Sequence, residues 1–276
     1  MRFTLPTPLQ AVDVDGYDLN YAELGSGQPV LLVHGSLCDC RYWQPQMQPF
    51  ARHGRVIAPS LRHYWPHDAH GPGEFSVEQH AHDLARLLEH LDAAPAHVVG
   101  HSRGARVALE LALRHPGLVG RLVLADPPAH VADEPQAAHT VSPFIGEALR
   151  RIQAGDTEAG LGIFVDAVNG PDTWRRMVRG FREMAHDNAG TLAGQAEERI
   201  APLDEAALAA LAIPVLLVGG NHSPQRYAQA QDRLQARLPD VQRVTIVGAA
   251  HGMNIAKPHS FNTAVIAFLF GETPAA

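Results

Sequence analysis

A serine set between two glycines, in Gly100-His101-Ser102-Arg103-Gly104, is the place where this chain most plainly offers chemistry. A serine hydroxyl is a poor nucleophile until a base accepts its proton, and it must be held exposed to meet a substrate. The flanking residues suit that task. Ala96-His97-Val98-Val99 is a short apolar run that reads as a buried strand, and Ala105 to Arg114 combines good helix formers with apolar residues at helical spacing. The pattern therefore falls on a sharp strand-to-helix turn, too tight for side chains two residues either side of the serine. The helix N-terminus adds free N–H groups and a partial positive charge, which suit an oxyanion developing on an attacked carbonyl.

The elements that must position this serine follow from the apolar pattern. Ala11 to Leu24 alternates and is broken at Asp15-Gly16, as a hairpin requires. Pro29–Val33, Arg55–Ala58, Arg121–Ala125, Pro214–Val218 and Val244–Val247 read as further short strands. Helices are expected from Ser76 to about Leu91, opened by a Ser76/Gln79 capping box, and at about Pro224–Leu238 and His259–Phe270. Continuous apolar strands alternating with amphipathic helices imply an α/β class with a mostly parallel sheet covered on both faces. Ligands in such sheets bind beyond the carboxyl ends of the strands. The segment from about Pro127 to Leu211 breaks the alternation, is helical in pattern and is too long for a connection, so it reads as an inserted cap. Within it Trp174, Met177, Val178, Phe181 and Met184 share one helical stripe.

Composition narrows the partners. The chain has 276 residues, 46% of them hydrophobic, and a formal net charge of -7, with no basic run. Nucleic acid and anionic membranes are poor partners for such a surface. No run is long enough to span a bilayer, and Met1–Gln10 does not read as a signal peptide. Cys38 and Cys40, with one residue between them, match neither a disulfide framework nor a zinc signature, which fits a reduced, cytoplasmic setting. The 17 histidines include no H-E-x-x-H motif, and neither a metal nor an organic cofactor is implied.

Together, His34-Gly35 after the third strand, the elbow around Ser102, the cap position and a histidine near the end resemble the α/β-hydrolase family over nearly the whole chain. The resemblance implies that family's fold: an eight-stranded, mostly parallel sheet flanked by helices, with residues 1–126 and 212–276 as core and 127–211 as a helical cap after the sixth strand. The family order Ser…acid…His implies a base on the loop after the last strand, which is His251 in Gly248-Ala249-Ala250-His251-Gly252. The acid is expected to depart from the commonest position, because Gly219-Gly220-Asn221-His222-Ser223-Pro224 after the seventh strand carries no carboxylate. Some relatives place it after the sixth strand, where this chain has Asp126-Pro127-Pro128; Asn221 or a water is the alternative orienter of His251. The oxyanion N–H groups implied are those of Arg103 and Ser36, with Leu37 as the alternative to Ser36. The Arg103 side chain is expected in an ion pair with Glu110 or Asp126, or else on a substrate carboxylate. Leu37, Trp65, Trp174 and Phe181 are the candidates for lining the pocket.

Three readings of function follow. In the first, Ser102, His251 and Asp126 hydrolyse a carboxylic ester or lactone of a small molecule through an acyl-enzyme. In the second, the same site hydrolyses a carbon–carbon bond or acts as a lyase. In the third, the fold only binds a small molecule, which the presence of all three triad residue types disfavours. A homodimer is compatible with each. Dehalogenase or epoxide hydrolase chemistry is disfavoured because those relatives carry Asp at the elbow.

Overall fold

The structure is a computed structural model in which residues 3–67, 73–129 and 142–271 are described. Part of the expected cap, residues 130–141, lies outside them. Eight strands build one sheet: β1 Gln10–Asp13, β2 Asp18–Leu24, β3 Pro29–Val33, β4 Arg55–Pro59, β5 Ala96–His101, β6 Val119–Ala125, β7 Val215–Gly220 and β8 Val241–Ile246. Their spatial order is β1-β2-β4-β3-β5-β6-β7-β8. The β1–β2 hairpin and the β2–β4 pair are antiparallel, and every pair from β4 to β8 is parallel.

The helices are α1 Gln44–Ala51, α2 Val77–His90, α3 Arg103–Arg114, α4 Pro143–Gln153, α5 Thr157–Asn169, α6 Thr173–Arg176, α7 Arg179–Asp187, α8 Thr191–Glu197, α9 Glu205–Ala209, α10 Gln225–Gln235, α11 Met253–Ala256 and α12 Pro258–Phe270. The continuous apolar strands are explained by two separate cores. Leu31, Val33, Val98, Leu122, Leu124 and Leu217 point to one face, where Leu84, Val107, Leu111 and Leu234 of α2, α3 and α10 cover them. Val30, Leu32, Val99, Val123, Leu216 and Val218 point to the other, under Met47 and Phe50 of α1 and Phe261 and Val265 of α12. A strand that buries alternate residues on opposite faces must be apolar throughout. Among the described residues no helix is long and apolar enough to cross a membrane.

Three local expectations change. β8 starts earlier and ends at Ile246, where its pairing with Gly220 stops, and Val247 leaves the sheet 77% exposed. Only half of the capping box forms: the Ser76 hydroxyl accepts from the Gln79 N–H at 3.0 Å, but the Gln79 amide donates to Asp83 at 2.8 Å instead of turning back. The Trp174–Met184 stripe does not run on one helix, because Met177 and Val178 are extended and separate α6 from α7.

Candidate active site

Ser102 stands between the end of β5 and the start of α3 with φ 54° and ψ −126°. This left-handed backbone is costly for a residue with a Cβ, and it persists because its neighbours hold it. The Ser102 N–H donates to Ala125 of β6 at 2.9 Å, and the Ser102 carbonyl accepts from Ala105 at 2.8 Å and Arg106 at 3.3 Å. Gly104 is a steric requirement. A Cβ there would fall 2.2 Å from the His34 carbonyl oxygen, so only glycine lets α3 approach the end of β3 so closely.

Asp126 follows β6 directly, also at positive φ (43°), and its N–H donates to Val218 of β7 at 2.9 Å. Its buried carboxylate lies 3.1 Å from His251 Nδ1 through Oδ2. The same Oδ2 accepts from the Ser223 hydroxyl at 2.6 Å, and Oδ1 accepts from Gln231 Nε2 at 3.2 Å. A carboxylate acceptor at Nδ1 places the ring proton there and leaves Nε2 free to act as a base. The His251 loop is braced from β5, where His101 Nε2–H donates to the His251 carbonyl at 2.7 Å. Burial drives the His101 pKa down to about 3, so that ring is neutral. The Tyr227 ring lies parallel to the His251 imidazole, with centroids 4.2 Å apart and planes at 14°. Among the described contacts the Ser102 hydroxyl makes no full hydrogen bond to His251. It sits near the Tyr227 phenol, whose pKa burial raises and Ser102 partly lowers.

Ser102 and His251 both open onto a cavity of about 350 Å³. Its walls are mostly apolar, with Leu37, Phe164, Val165, Met177, Phe181 and Ile255 among them; among the described residues it includes Arg176 but no Asp or Glu. The family model for the alpha/beta hydrolase fold matches residues 28–258. The chain belongs to the α/β-hydrolase family. RutD of Caulobacter segnis, provisionally named a carbamate hydrolase, is 27% identical over 289 residues, covering 94% of this chain and 98% of RutD. The 2-hydroxy-6-oxo-2,4-heptadienoate hydrolase of Pseudomonas putida is 36% identical over 116 residues, 40% of this chain and 41% of that enzyme. A thermophilic esterase of Thermogutta terrifontis has a similar structure, with TM-score 0.71 and 26% identity, covering 95% of this chain and 96% of the esterase.

Within this hydrolase the residues singled out from sequence divide clearly. Ser36, Leu37 and Phe181 line the cavity together with Ser102 and His251. Trp65 and Trp174 do not; both are turned away and capped by arginines. Arg41 lies 3.9 Å over the Trp65 ring, and the Trp65 N–H donates to Asn188 at 2.8 Å. Arg182 lies 5.0 Å over the Trp174 ring, whose indole N–H donates to Glu158 at 3.0 Å. Arg103 is in a buried ion pair, but with Glu198 after α8 at 2.5 Å, and it also meets His80 Nδ1 at 3.0 Å. Glu110 is already held by Arg106 and Arg114, each four residues away on the same helix face. Asn221 does not orient the histidine; its side-chain oxygen accepts from the Gly248 N–H at 2.7 Å.

Ser223, Tyr227 and Gln231 escaped the sequence reading. One signal was available: Tyr227, Ala230 and Leu234 form the buried stripe of α10, which carries Gln231 to the same side.

Proposed function

We propose that this hydrolase cleaves carboxylic esters or lactones of small, largely apolar molecules through an acyl-enzyme. The observation that carries the reading is the buried 3.1 Å contact between Asp126 Oδ2 and His251 Nδ1, with His251 and Ser102 opening onto one apolar cavity. Ser102 Oγ attacks the carbonyl carbon while His251 Nε2 takes its proton, after rotation of the hydroxyl from Tyr227 toward the ring. The carbonyl oxygen becomes an oxyanion, held by the N–H groups of Arg103 and Ser36. Leu37, at φ 58°, turns the loop that carries Ser36. Collapse expels an alcohol, protonated by His251, and for a lactone that alcohol remains part of the acyl group. Water, deprotonated by the same ring, then releases the acid. Residues 127–211 act as the cap over a core of 1–126 and 212–276, since α5, α6 and α7 contribute Phe164, Val165, Thr173 and Phe181 to the cavity wall.

The test is covalent labelling together with turnover. A fluorophosphonate should label the wild type at Ser102, and short p-nitrophenyl esters should be hydrolysed. Ser102→Ala should remain folded, lose the label and lose on the order of 10⁴-fold or more in kcat. Near-normal turnover by a folded Ser102→Ala would remove the reading. A panel of esters, lactones, carbamates and a vinylogous 1,5-diketone assigns the bond class; preference for the diketone would favour carbon–carbon hydrolysis.

A further inference from the structure

The hydrogen bond from His251 Nδ1 to Asp126 leaves one degree of freedom of the ring uncontrolled. A hydrogen bond at Nδ1 tolerates tens of degrees of tilt. Proton transfer at Nε2 requires placement within about 0.5 Å and 10–20°. Something must therefore hold the plane of the His251 ring. Among the described residues, three side chains meet that ring. Asp126 meets its edge from the end of β6 at 3.1 Å. His101 of β5 approaches at 4.7 Å with planes at 42°, an angle that sets no common plane. Tyr227 of α10 covers a face, parallel within 14° at 4.2 Å.

Tyr227 is itself immobilised. It is 5% exposed, its N–H donates to Pro224 at 3.0 Å, and its helix is anchored by Ala230 and Leu234 in the core beneath the sheet. The Arg226 guanidinium lies 4.8 Å from the ring centroid. A tilt of the imidazole would drive its edge into a ring that cannot retreat.

We propose that Tyr227 is a positioning residue for His251: its ring face holds the imidazole in the plane that joins Asp126 to Ser102 and stabilises the imidazolium formed during acylation. This rests on the Ser102–His251–Asp126 reading. The face of an aromatic ring carries negative charge density and attracts a cation beside it. Burial also raises the Tyr227 phenol, keeping it protonated while the imidazole cycles. The phenol meets the Ser102 hydroxyl only before that hydroxyl turns toward His251, so the ring face carries the effect.

The experiment compares Tyr227→Phe, Tyr227→Leu and Tyr227→Met in pH profiles of p-nitrophenyl ester hydrolysis, with active sites counted by fluorophosphonate titration of a separate aliquot of each. Tyr227→Phe keeps the face and should stay within about threefold of wild type. Tyr227→Leu and the volume-filling Tyr227→Met should each lose about 3- to 30-fold in kcat at nearly constant KM. In both, the acid limb of kcat/KM should move to lower pH, because a less favoured imidazolium has a lower pKa. If Leu and Met leave kcat and the limb unmoved, or if Phe loses as much as Leu, the proposal is overturned. A wild type that resists labelling at Ser102 would instead overturn the triad reading, and this inference with it.

Discussion

Replacing Asp126 with Asn should disable the hydrolase by a route that the surrounding hydrogen bonds dictate. The wild-type carboxylate accepts three bonds: Ser223 and His251 at Oδ2, and Gln231 Nε2 at Oδ1. An amide must point its oxygen one way and its NH₂ the other. Gln231 cannot present its oxygen instead, because its Nε2 also donates to the Val218 carbonyl at 3.2 Å, and a flip would set two oxygens against each other. The oxygen of the substituted amide therefore faces Gln231, and its NH₂ faces His251. The opposite orientation costs about 1–3 kcal/mol for a buried unsatisfied donor, so it is populated roughly a tenth to a hundredth of the time. An NH₂ donating to Nδ1 forces the proton onto Nε2, where the ring can no longer accept from Ser102. With the charge that stabilised the imidazolium also lost, kcat should fall on the order of 10⁴-fold, about 5.4 kcal/mol.

The assay is p-nitrophenyl ester hydrolysis at pH 7–8, with circular dichroism to establish folding. Asp126→Asn combined with Gln231→Leu adds a sharper arm. Removing the donor frees the amide to turn, and the Val218 carbonyl still accepts the residue-126 N–H at 2.9 Å. The double variant should recover at least about fivefold over Asp126→Asn alone, part of the 1–3 kcal/mol orientation cost. A folded Asp126→Asn within about tenfold of wild type would refute Asp126 as the orienting acid, whose loss should cost far more. A double variant no better than the single would refute the tautomer argument and leave the acid assignment in place.

Three further outcomes are expected. Glu198→Gln leaves the Arg103 guanidinium buried beside a neutral partner and should cost about 3–5 kcal/mol in urea unfolding, with less than 1 kcal/mol counting against a structural ion pair. Burial lowers His34 to about 4 and His101 to about 3, so the unfolded chain binds protons there first as pH falls. Stability from these two groups is complete above about pH 6.5 and declines below it by about 1.4 kcal/mol per pH unit per histidine, and His101→Phe should reduce the measured slope by one such increment between pH 6 and 4. Gly104→Ala sets a methyl 2.2 Å from the His34 carbonyl oxygen and should cost at least about 3 kcal/mol or prevent folding, as thermal melts would show.

What the chain disclosed from sequence was what is local. β3, β5, β6 and β7 were readable because burial on two faces demands unbroken apolar runs, and Ser102 and Asp126 could be singled out because each sits at the end of such a run. Helix α1 was not foreseen. Its sequence QPQMQPFA has two prolines, one inside the helix, and it is held by Met47 and Phe50 in the core and by Gln46 bonding to Asn254 and Asn262, far away in the chain. The Arg103 partner was misplaced for the same reason, since Glu198 lies 95 residues on. Trp65 and Trp174 show a different limit. Residue type marks an aromatic as suitable for a pocket, but side-chain direction decides, and Arg41 and Arg182 had the stronger claim on these rings.

The missing carboxylate after β7 and the carboxylate of Asp126 after β6 are two sides of one arrangement. The stretch after β7, where the commonest relatives carry an acid, opens here with Gly219-Gly220, and neither glycine has room for a side chain. A Cβ at Gly219 would lie 2.6 Å from Gln231 Nε2 and 3.3 Å from Asp126 Oδ1, and one at Gly220 would lie 2.4 Å from the Ala249 carbonyl oxygen. The space is already filled by the carboxylate from β6, by the glutamine that fixes it and by the loop carrying His251. The same stretch then supplies Ser223 to the carboxylate, and Pro224 starts the helix that lays Tyr227 on the imidazole. A return to the commoner plan would thus need more than an aspartate near Asn221. It would need Asp126 removed as well, because the intermediate with both acids would crowd two carboxylates around one histidine, where like charges raise each other's pKa and weaken the hold on Nδ1.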